Sequence, residues 1–77
     1  MNKSRRDLLR QALELLATAE EYVNSALDEE QGCLDNMPEN LEGSERYERM
    51  ELAVEKLEEA AENISGARDC IDEAING

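Results

Sequence analysis

The sequence predicts an all-α fold, an antiparallel two-helix coiled-coil hairpin that dimerises into a four-helix bundle. Three observations point there. Leu9, Ala12, Leu16, Ala19, Val23, Ala26, Glu30, Cys33 and Met37 step by alternating threes and fours. So do Tyr47, Met50, Val54, Leu57, Ala61, Ile64, Arg68, Ile71 and Ile75, and this is the spacing of a coiled-coil seam. Paired from the middle outward, the residue numbers at each level add to 83 or 84, so a chain folded back on itself meets layer by layer. Apolar residues also spill past both seams. Leu8, Leu15 and Tyr22 lie on one flank of the first and Leu13, Leu27 and Leu34 on the other, while Ala53, Ala60, Ala67 and Ala74 flank the second. Soluble monomers avoid leaving such a surface wet.

Residues 1–77 form a single domain, with helix 1 expected over about 4–36, a turn over 37–43 and helix 2 over about 44–75. Ser4 is the expected N-cap of helix 1, with Asp7 three residues on as an approximate capping box. Gly32 interrupts the helix at a cost of about 1 kcal/mol relative to Ala. Pro38 ends it, because the residue before a proline is pushed out of the α region. In the turn, Pro38 opens a single helical turn, Asn40 follows, and Leu41 is expected to tuck against the end of the core. Ser44 caps helix 2, with Glu45 and Glu48 near the positive end of its dipole. Asn76 and Gly77 then carry a C-terminal stop signal.

Composition narrows the function. Eight cations stand against twenty acids, a formal charge of −12, and there is no His, Phe or Trp. Half the cations, Lys3, Arg5, Arg6 and Arg10, lie in the first ten residues, and none occurs from Gln11 to Glu45. That balance argues against direct nucleic-acid binding, which rests on neutralising phosphates. It suits a basic protein surface as partner. No stretch approaches the roughly 20 apolar residues of a membrane span, and no apolar signal segment follows the basic start. A cytoplasmic location with Cys33 and Cys70 reduced is therefore expected. Without histidine, a CxxC or a phosphate-binding glycine loop, catalysis, a metal and a cofactor are not expected.

Two charges in the seam suggest how two hairpins meet. Within one hairpin Glu30 is level with Val54 and Arg68 with Leu16, so they do not reach each other. A two-fold axis at the Val23/Ala61 layer brings Glu30 level with the partner's Arg68, which pairs both charges at once. The expected dimer interface is then Leu9, Leu13, Leu16, Val23, Leu27, Glu30, Ala61 and Arg68. The same operation gathers Arg5, Arg6, Arg10, Arg46 and Arg49 at the bundle ends, a candidate site for an anionic ligand or nucleotide signal.

The stretch Asn36-Met37-Pro38-Glu39-Asn40-Leu41-Glu42-Gly43-Ser44-Glu45-Arg46-Tyr47-Glu48, followed by Met50-Glu51 and an Ala/Leu/Glu-rich helix, resembles small two-helix proteins. Those proteins are encoded by phages, prophages and mobile elements of Gram-positive bacteria. The likeness covers the turn and most of helix 2. It implies an accessory role in a bacterial host cell, and small acidic proteins of this kind include inhibitors of host defence enzymes. Three readings follow. The first is a non-enzymatic acidic protein that binds, and by binding inhibits, a host protein with a basic surface, such as a defence or nucleic-acid-binding factor. The second is an anionic-ligand binder at the arginine clusters, and the third a self-assembling structural module.

Overall fold

A computed structural model describes residues Met1–Gly77. Helix α1 spans Lys3–Asp35 and helix α2 spans Glu45–Asn76, joined by a single 3₁₀ turn at Glu39–Leu41. The two helices pack along each other as a thin rod with Cα extents of 59 × 15 × 14 Å. There is no strand.

Local chemistry sets the ends. Asn2, and not Ser4, caps α1: its side-chain oxygen accepts from Arg5 N–H at 2.9 Å, and its carbonyl accepts from Arg6 N–H at 3.2 Å. Both residues are good caps, and the earlier one satisfies the same class of free amide while adding to the helix. Gly32 lies inside a continuous helix. At its end the Asn36 backbone and side-chain N–H groups both donate to the Gly32 carbonyl, at 3.1 and 2.8 Å. Pro38 opens the 3₁₀ turn, whose Leu41 N–H donates to the Pro38 carbonyl at 2.9 Å. Leu41 does not plug the core; it stays 40% exposed. Gly43 follows at φ +80, in the left-handed region where side chains are strained. Ser44 then caps α2 by accepting from Tyr47 N–H at 3.2 Å, with Glu45 and Glu48 in the first turn. Gly77 N–H closes the far end on the Glu73 carbonyl at 2.8 Å.

Every residue of the expected α2 ladder is withdrawn from solvent, with Val54 and Ile75 fully buried. Helix α1 is rotated from expectation. Leu9, Leu13, Leu16, Glu20, Val23, Leu27, Glu30, Leu34 and Met37 are half-buried; of the expected ladder Ala12 and Ala19 are half-buried beside them, whereas Ala26 and Cys33 are exposed. The two ladders share Leu9, Leu16, Val23, Glu30 and Met37 and compete over the positions between. Burying Leu rather than Ala gains about 2 kcal/mol per site at ~0.8 kcal/mol per methylene. Leu27 and Leu34 therefore win the inside from Ala26 and Cys33, while Leu13 and Glu20 come in beside Ala12 and Ala19. Paired with α2 from the turn outward, this seam gives residue numbers adding to 84 at all nine levels, a cleaner register than the sequence ladder supplied.

Candidate functional site: two opposite faces

With Glu20 inside, the seam contains its own counter-charge. Arg68 Nη1 donates to Glu20 Oε2 at 3.0 Å, the one ion pair that joins the two helices. Glu20 stands four residues, one turn, from the level of Arg68, a gap that two long side chains span. Arg68 is thus engaged inside its own hairpin, and Glu30 makes no ion pair. The residues expected at a dimer interface (Leu9, Leu13, Leu16, Val23, Leu27, Glu30, Ala61 and Arg68) all lie half-buried in the intrachain seam.

The arginines expected to gather are set apart within one chain. Arg5, Arg6 and Arg10 sit at the open end of the rod, and Arg46 and Arg49 sit beside the turn. Asp7 binds both Lys3 and Arg10, at 3.0 and 3.2 Å, and Glu45 binds Arg49. Arg6 Nε is shut from solvent without a hydrogen-bond partner. No pocket and no group of three metal-ligating side chains occurs along the rod.

The rod has instead two unlike faces. An antiparallel pair has a local two-fold axis perpendicular to its plane, so equivalent heptad positions of both helices share a face. On one face Asp7, Glu14, Glu21, Asp28 and Asp35 recur every seven residues along α1. Beside them on α2 run Glu48, Glu55, Glu62 and Asp69, with Glu51, Glu58 and Asp72 next to the seam. Twelve of the twenty acids lie there, against Lys3 and Arg10, and all but Asp7 are exposed. Successive carboxylates in a row are about 10 Å apart at ~1.5 Å per residue.

The opposite face has an alanine floor. Ala12, Ala19, Ala26 and Cys33 run along α1, and Ala53, Ala60, Ala67 and Ala74 run along α2, each placed just before a seam residue. Outside them α1 raises Leu8, Leu15 and Tyr22, which are 63%, 72% and 72% exposed. Glu29 is the only acid on this face; its cations are Arg5 and Arg46, at the ends of the alanine columns, and Arg49 and Lys56. The free thiols Cys33 and Cys70 are both exposed on it. The heptad spacing of Leu8, Leu15 and Tyr22 is visible in the sequence, but which face they join depends on the rotation of α1.

At the turn end, Tyr47 holds its phenol proton more tightly than usual. Partial loss of solvent is the largest cause, followed by the nearby carboxylates of Glu51, Glu42 and Asp35. Asp35 closes α1 and Tyr47 opens α2, so the effect reports the two helix ends meeting across the turn. No helix is long and apolar enough to cross a membrane. No protein-family model, no curated protein and no solved structure matches the chain.

Proposed function

We propose that this chain is a non-enzymatic interaction protein that acts as a dimer of hairpins. In this reading its acidic face covers, and thereby inhibits, a basic surface on a bacterial host protein in the cytoplasm. A phage or mobile-element origin belongs to the same reading and rests on the likeness of the turn and α2. The observation that carries the reading is the segregation of charge. Twelve carboxylates stand in regular rows on one face and a single acid on the other. A charge meant only for solubility has no reason to be sorted this way, whereas a complementary basic groove needs one continuous field. The rows present carboxylates at regular intervals along a narrow rod, the kind of surface a nucleic-acid-binding channel receives.

Capture from a Gram-positive host lysate tests this, using the wild-type protein and a Glu55→Gln/Glu58→Gln/Glu62→Gln variant. The expected outcome is a basic partner held at low salt, released as the Debye length falls from about 10 Å at 0.1 M to about 3 Å at 1 M, and lost by the triple variant. Capture that ignores salt and survives the triple substitution refutes the proposal.

A further inference from the structure

We infer that the alanine-floored face is where a second copy of this chain docks, with the two rods side by side and both turns at the same end. This deepens the dimer part of the function proposed above and is independent of what the acidic face binds. The face is self-complementary. A two-fold axis along the rod lays α1 of each copy over α2 of the other and keeps every level unchanged. From the register that adds to 84, Leu15 then meets the partner's Ala67 and Cys70, and Tyr22 meets the partner's Ala60 and Asn63. Large side chains stand over small ones, and the alanine columns let the backbones approach closely. Turning one rod end for end instead sets leucine ridge on leucine ridge and leaves the alanine floors unfilled.

One charge pair points the same way. The lone acid of this face, Glu29, is exposed and without an ion-pair partner. In the side-by-side arrangement it comes level with the partner's Lys56, whose own contact is a 3.2 Å pair with Glu59. The strip from Leu8 to Cys33 is about 39 Å long at ~1.5 Å per residue. With two helices ~8–10 Å apart it offers roughly 600 Å² per copy, approaching the ~800 Å² per partner of standard interfaces. The need is plain, since only Val54 and Ile75 are buried in the single hairpin.

The two native cysteines distinguish the arrangements. On the two-fold axis along the rod, Cys33 of each copy stands near its equivalent. In the end-for-end dimer centred at Val23/Ala61 it stands level with the partner's Cys70. Sedimentation is expected to give twice the 8.7 kDa chain mass. A bismaleimide about 8 Å long, matched to interhelix spacing, is expected to yield a Cys33–Cys33 product by peptide mass spectrometry. Ala67→Glu, a substitution on an exposed helix position, is expected to weaken the dimer by about 100-fold or more through desolvation of its charge while circular dichroism stays helical. Glu58→Lys on the opposite face leaves the mass unchanged. A monomer, a Cys33–Cys70 product, a dimer without the Cys33–Cys33 product, or a dimer indifferent to Ala67→Glu overturns the inference. Loss of host-protein capture with the dimer intact counts only against the acidic-face reading.

Discussion

A charge at a seam position faces a choice between reaching water and finding a partner, and Arg68 does some of both. It holds the seam position between Ile64 and Ile71; its side chain is 39% exposed and its guanidinium meets the carboxylate of Glu20, a side chain 24% exposed. That geometry stabilises modestly. A double-mutant cycle with Glu20→Ala and Arg68→Ala is expected to give a coupling of about 0.5–1 kcal/mol by urea unfolding. Replacing both together, Glu20→Leu with Arg68→Leu, is expected to hold or raise stability, because apolar packing replaces two partly desolvated charges. A large loss in the double leucine variant contradicts this account. Tyr47 supplies the pH counterpart. Its folded-state proton affinity lies above the ordinary value of 10.0. Above that pH the unfolded chain gives up the proton first, so the folded state binds more protons and stability falls as pH rises. Below it this group contributes no slope. Urea midpoints are expected to drop from pH 9 to pH 11 more steeply in the wild type than in Tyr47→Phe.

At the scale of elements, three glycines do different things. Gly32 and Gly66 sit inside helices, where an added Cβ meets nothing within 4 Å. Each change to Ala is expected to raise stability by about 1 kcal/mol. Gly43 also has open space around it, but its φ is +80. Gly43→Ala is expected to cost about 1 kcal/mol through backbone strain alone. Thermal melts of the three variants separate the cases, since the sign must differ between Gly43 and the other two. These local features were legible beforehand. The Pro38 stop, the Ser44 cap and the acidic first turn of α2 depend on neighbours a few residues apart. The start of α1 was less so, because Asn2 and Ser4 are both competent caps and only the completed helix end chooses between them.

For the whole molecule, sequence spacing sufficed for two helices, their antiparallel pairing and the level at which they meet. It did not suffice for the rotation of α1. Two interleaved ladders share five residues, and the regular one with alanines competes with the one that buries Leu13, Leu27 and Leu34. Choosing needs the energy of burial and the knowledge that Arg68 receives Glu20, a contact across 48 residues. The two-faced charge pattern follows from that rotation, and so was hidden until it was known.

The Glu20–Arg68 bond also sits in an uncommon mechanical position. The start of α1 and the end of α2 lie at the same end of the rod, so tension applied to the two ends peels the helices apart level by level instead of sliding one along the other. Each level parts in turn, from Leu9 against Ile75 inward, and resistance is never shared across the seam. Partway along, the opening front meets the single ionic latch between the two helices. Beyond it lie Val23, Leu27 and Leu34 against Ala61, Leu57 and Met50, and last the bend at Gly43. Such a hairpin is expected to yield at low force and to rezip from the turn.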